Sequence, residues 1–238
     1  MKTIEVAAFA LNVALYVAFG YLFSSIVPIS FGGVRFWPQV IIPAIFAVVF
    51  GPWVGGLGAA LGIFLNDILL GNNPLLSLMA GVTSNFVLFS IIGYLSNKKT
   101  KLTYSVIISG IVSAFLIIIA LLYSEPLFIG IIYSIAIAAS YATLIIVALL
   151  YSRWRSYGVG SVIGLLLGSL IIGVLVPVYY RYFTPGASAI TMPLILTTFI
   201  FVFATEIPFL LILGPPIIEA VYRAFPNLNK SEPYGDSQ

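Results

Sequence analysis

Glu206 is an acid set in a run of Phe, Ile, Val, Leu and Ala. Ionisable groups inside a bilayer are costly, so they face a cavity or a partner. Glu206 is therefore read as a ligand contact, or else as a neutral acid or one half of a structural pair with an Arg. Asn85 lies at a comparable depth in another apolar run. Closer to a surface come Arg35, Trp37 and Gln39 after one break, Asn66 and Asp67 closing a run, and Asn72 and Asn73 in the break that follows. A small-molecule pocket needs a few fixed polar groups in an apolar wall. The candidate substrate-binding residues are accordingly Arg35, Trp37, Gln39, Asn66, Asp67, Asn72, Asn85 and Glu206. Two have plainer alternatives: Asp67 as a structural hydrogen bond or ion pair at a helix end, and Arg35 with Phe36 and Trp37 as an interfacial anchor.

The missing residue types narrow the chemistry. The chain has no Cys and no His, which removes thiol catalysis, disulfides, imidazole bases and the usual zinc, iron and haem ligand sets. No Lys follows a Gly, so there is no P-loop to hold ATP. Asp67 and Asp236 are the only aspartates, and they do not form the paired carboxylates of a metal-dependent lipid transferase. The inventory supports binding rather than catalysis; no enzyme activity, cofactor or metal is expected.

The elements that must carry these residues follow from composition. Of 238 residues, 61% are hydrophobic and 7% charged, with a mean hydropathy of +1.17, against about a quarter charged in a soluble domain. The expected fold is an all-α integral membrane protein, a polytopic bundle of about eight transmembrane helices (six to eight). Apolar runs fall at 5–27, 37–50, 52–70, 75–95, 102–122, 127–151, 159–180 and 191–213, with an amphipathic stretch near 215–225. Residues 1–226 form one transmembrane domain and 227–238 a polar cytoplasmic tail. No stretch accommodates a soluble domain of the usual ~100 residues, so no attached ATPase or nucleic-acid-binding module is expected. The first run is not read as a cleaved signal peptide, because Glu5 breaks the basic start.

Orientation follows from the cations. With the N-terminus inside, Lys2, Lys98, Lys99, Lys101, Arg153, Arg155, Arg223 and Lys230 are cytoplasmic, and Arg35 and Arg181 external. That bias places both termini in the cytoplasm. The second run is short: at ~1.5 Å per residue it covers about 21 Å of a ~30 Å hydrocarbon layer. It either spans incompletely or pairs with the third as a re-entrant hairpin, and neither changes the orientation.

Two kinds of small-residue stripe recur. Ala10, Ala14 and Ala18 lie four apart on the first helix, with Ala7 close by, and such a stripe lets another helix approach closely. It is read as a partner-docking face, with packing inside the bundle as the alternative. Gly51, Gly55 and Ala59, then Gly58 with Gly62, and later Gly160, Gly164 and Gly168, form further ladders. Tight helix packing is their simplest explanation.

Together, Ala10-x3-Ala14-x3-Ala18, the run from Val34 through Arg35-Phe36-Trp37-Pro38-Gln39 to Pro43-Ala44, and Phe50-Gly51-Pro52-Trp53 continuing to Asn66-Asp67 form a pattern. It resembles the membrane-embedded substrate-binding subunit, or S component, of energy-coupling factor (ECF) vitamin transporters. The closing segment, Glu206-Ile207-Pro208-Phe209 with Gly214-Pro215-Pro216-Ile217, is similar to that of archaeal-type members. The likeness covers roughly residues 1–100 and 190–226. It implies that the alanine stripe docks on a transmembrane T component carrying two cytoplasmic ATPases, and that substrate sits in the external half of the membrane. Members typically have six helices, which would put an additional pair within 102–180.

The resulting expectation is a subunit of an ECF-type ABC importer in the plasma membrane of a prokaryote. It would capture a vitamin or similar small nutrient from outside for ATP-driven uptake by partner chains. The expected partners are a small-molecule substrate, the T component with its ATPases, and the lipid bilayer, with no nucleic acid. The alternatives are a stand-alone secondary transporter or channel, and a structural membrane subunit of a larger complex.

Overall fold

The computed structural model describes residues 2–184 and 190–228. Among these, seven helices are long and apolar enough to cross a membrane: α1 (Thr3–Ile26), α3 (Pro52–Leu69), α4 (Pro74–Ser96), α5 (Leu102–Tyr123), α6 (Leu127–Leu150), α7 (Arg153–Phe183) and α8 (Met192–Ala224). A shorter apolar helix, α2 (Pro38–Phe50), lies between α1 and α3. The chain is an all-α polytopic bundle. Within hydrocarbon a backbone must satisfy its own polar groups, and helices do so segment by segment. Residues 185–189, which include the end of the break read from Arg181 to Gly186, and 229–238 with Lys230 and Asp236, lie outside the described residues.

Buried amides fix the pairing of the first helices. Asn12 donates to Val54 O near the start of α3 at 3.0 Å, and Asn66 near its end donates to Val17 O at 2.9 Å, so α1 and α3 run parallel, with α2 returning between them. Gly58 meets the Asn12 amide and Gly62 the Tyr16 ring, and a Cβ on either would collide. The later ladder works in the same way: Gly160, Gly164 and Gly168 of α7 lie against Ile92, Leu88 and the Ser84 carbonyl of α4. Both glycine ladders are therefore internal packing surfaces.

Two boundaries differ from the sequence reading. Helix α7 starts at Arg153 rather than 159, because Gly158, read as part of a break, is a packing position against Leu144. The amphipathic stretch near 215–225 is not separate. Helix α8 runs through it by a π-turn at Phe209–Leu213. Pro215 and Pro216 withhold two backbone donors from the turn before them, as proline must. The buried Tyr157 hydroxyl donates to Leu210 O at 2.7 Å, supplying one donor to that turn.

The short span is completed by a feature the sequence reading treated only as a break. Ser30–Phe31 (β1) and Val34–Arg35 (β2) pair as an antiparallel hairpin, Ser30 opposite Arg35 and Phe31 opposite Val34. Gly32 and Gly33 have φ of 57° and 82°, the two positive values a type I′ turn requires. The hairpin lies over the end of the bundle: Phe31 rests on Phe201 of α8 at 5.7 Å between ring centroids, and Gly33 sits against Tyr180 of α7. The chain thus covers this end of the bundle as a hairpin and continues inward as α2.

Candidate functional site

The hairpin, α3, α4, α7 and α8 enclose a cavity of about 350 Å³ at the end of the bundle that carries Arg35. Its polar groups form two hydrogen-bonded chains. At the mouth, Arg35 Nη2 donates to Asn72 Oδ1 at 2.7 Å, Asn72 Nδ2 donates to Asp67 Oδ1 at 2.7 Å, and Ser77 Oγ donates to Asp67 Oδ2 at 2.6 Å. This chain ties the hairpin to the turn between α3 and α4. Deeper, Trp37 Nε1 donates to Tyr16 Oη, and Tyr16 Oη to Asn85 Oδ1, each at 2.7 Å. Asn85 Nδ2 in turn donates to Gly81 O at 2.9 Å.

The local backbone explains why Ser77 and Asn85 reach the cavity. Residues Ser77–Val82 form a π-turn inside α4, and such bulges are frequent at functional sites because they re-aim side chains. Asn73 caps the start of α4, accepting from Leu75 N at 2.9 Å.

Among the described residues, an acidic and a basic side chain at the cavity keep polar atoms unpaired. Glu206 lines it, is only 6% exposed, and takes part in no hydrogen bond or ion pair. Arg35 Nη1 is buried without a partner. The structural pair with an Arg, one alternative for Glu206, is not formed: the ion pairs among the described residues join Glu219 to Arg153 and Arg223. A carboxylate and a guanidinium N–H thus remain to be satisfied by something in the cavity.

Of the eight candidate residues, Arg35, Trp37, Asp67, Asn72, Asn85 and Glu206 line the cavity. Asn66 does not: it lies about 100° round the helix from Asp67, on the face against α1, where its amide meets Gly20. Gln39 does not either; it is enclosed by protein at 1% exposure, with neither amide atom bonded. The wall supplied by α7 was missed. Tyr179, Tyr180 and Phe183 face the cavity, with the Tyr179 and Phe183 rings stacked at 5.1 Å. Aromatic residues near a helix end look the same in sequence whether they face lipid headgroups or a ligand. Tyr16 was missed as well, since one Tyr in an apolar run carries no local signal.

The alanine stripe stands apart from the cavity. Ala7, Ala10, Ala14 and Ala18 are exposed, while Asn12, Tyr16 and Gly20 on the opposite side of α1 are buried.

A helical membrane bundle that closes a small cavity around unpaired polar groups has the architecture of a membrane-embedded binding protein. Comparison with protein families matches residues 1–171 to the "ECF-type riboflavin transporter, S component" family. The chain belongs to that family and is a substrate-binding subunit of an ECF transporter. Comparison with curated proteins and with solved structures gave no match. The matched stretch ends within α7, so Tyr179, Tyr180 and Glu206 come from beyond it.

Proposed function

We propose that the cavity takes up riboflavin, or a closely similar flat heterocycle with polar substituents, from outside the cell. The observation that carries this reading is the unpaired Glu206 carboxylate in a pocket walled by Trp37, Tyr179, Tyr180 and Phe183. Aromatic faces stack on a fused ring, and a carboxylate accepts from a ring N–H or a hydroxyl. The family description supports the same substrate. The Arg35–Asn72–Asp67–Ser77 chain holds the hairpin over the mouth, and its release opens the site to the external face.

Transport follows from docking. The exposed stripe of Ala10, Ala14 and Ala18 packs against helices of a T component, whose two cytoplasmic ATPases drive inward release. The test is to purify the full chain, identify any co-purified small molecule by mass spectrometry, and titrate riboflavin while following quenching of its fluorescence. Saturable quenching at one site per chain is expected. A different bound molecule, with no quenching by riboflavin, overturns the substrate assignment.

A further inference from the structure

At the opposite end of the bundle a second cavity, of about 900 Å³, opens between the loop after α4 and the start of α7. Five cations line it: Lys98, Lys99, Lys101, Arg153 and Arg155. The charge bias assigns this end to the cytoplasm, but that rule requires only that cations lie on this side, not that they converge on a concavity. Among the described residues one of them is neutralised by a side chain: Arg153 pairs with Glu219, which Arg223 shares. Arg155 Nε donates to Ala148 O at 2.8 Å, which orders the guanidinium without cancelling its charge.

Two further sources of positive potential meet there. Lys101 and Ser152, at the N-caps of α5 and α7, line the cavity, and neither helix has a side-chain cap. The N-terminus of a long helix carries roughly half a positive charge and presents unpaired N–H groups to an anion. The loop between is held in place, since Ser156 Oγ donates to Lys98 O at 2.5 Å and accepts from Thr100 N at 3.1 Å. The cations are therefore gathered on a fixed scaffold.

Membrane depth identifies the anion. Tyr94, Tyr104 and Tyr151 are exposed around this end, and exposed tyrosines mark the headgroup level of a bilayer. Lys98 lies over the Tyr94 ring at 4.6 Å, which holds one cation at that level. Basic pockets between helices on the cytoplasmic side suit anionic lipid headgroups. We propose that this cavity is a binding site for the phosphate headgroup of an anionic phospholipid of the inner leaflet, seated between α4, α5 and α7.

The test uses the full-length chain in non-ionic detergent, challenged with mixed micelles of phosphatidylglycerol or of phosphatidylcholine. Native mass spectrometry counts the lipid retained. The wild-type chain is expected to keep phosphatidylglycerol in preference to phosphatidylcholine. Lys99→Gln should weaken phosphatidylglycerol retention about fivefold, and Lys98→Gln/Lys99→Gln/Lys101→Gln about a hundredfold, at roughly one charge's worth of surface attraction each. Phosphatidylcholine retention and the unfolding temperature in that lipid should stay unchanged, which shows that the variants fold. Equal retention of the two lipids by the wild type, or unchanged retention in the triple variant, overturns the proposal. Inorganic phosphate separates the sources. At millimolar concentration it should leave the bound lipid in place, and displacement of the lipid would make a free phosphate the occupant and the lipid assignment wrong.

Discussion

At the scale of the residue, two side chains control the site. Glu206 reaches the cavity with no partner among the described residues, and Glu206→Gln replaces its carboxyl group by an amide at nearly constant volume. If the carboxylate accepts from ligand, affinity should fall by about 1.5–3 kcal/mol, the range for hydrogen bonds to charged groups. A riboflavin titration reads this directly. Normal affinity together with a lowered unfolding temperature would make Glu206 structural. Tyr16 acts one step back: fully buried, it receives the Trp37 indole N–H and holds Asn85. Tyr16→Phe leaves both unpaired, and each unsatisfied buried group costs about 1–3 kcal/mol. The variant should lose stability and bind ligand more weakly, and an unchanged unfolding temperature would show that water replaces the hydroxyl without loss. Glu206 stood out in the sequence because a charge in an apolar run is rare. Tyr16 did not, because its importance lies in residues 21 and 69 positions away.

At the scale of the element, small residues do two different jobs. The ladder of Gly160, Gly164 and Gly168 is spent inside the bundle, where Gly164 lies against the Leu88 carbonyl. Gly164→Leu should drive α7 and α4 apart and lower the unfolding temperature, since overpacking costs about 1–3 kcal/mol or more. The ladder of Ala10, Ala14 and Ala18 faces outward. Ala14→Trp should leave riboflavin binding nearly intact and abolish co-purification with the T component, because bulk there blocks close helix approach. Loss of both together would mean that the stripe serves internal packing. The spacing of four was visible in both cases, but spacing alone does not reveal which face is covered. The hairpin at 30–35 was legible in principle, from Gly32-Gly33 flanked directly by Phe31 and Val34. It was passed over because two-residue strands give no periodicity.

At the scale of the whole molecule, the charges divide the bundle into two ends. Lys98, Lys99, Lys101, Arg153 and Arg155 surround one cavity, while Arg35 lines the other. With the basic end cytoplasmic, a single cysteine at position 98 should be labelled by an impermeant reagent only after the cells are opened, and one at position 181 in intact cells. Labelling of position 98 on intact cells would invert the orientation. The absence of native cysteine makes the measurement clean.

Composition and local spacing settle what depends on one residue and its near neighbours. A bilayer accepts only long apolar helices, so composition and run length were enough for the architecture, and the Lys and Arg counts for its expected orientation. The cavity was half legible, because polar groups at one depth can be counted along each span. Which of them face one another was decided only by the tertiary structure. Neighbouring residues on a helix point about 100° apart, so Asp67 entered the cavity and Asn66 turned to α1. The aromatic wall from α7 and the hairpin laid over the cavity are contacts between distant segments, and they exist only once the helices have packed.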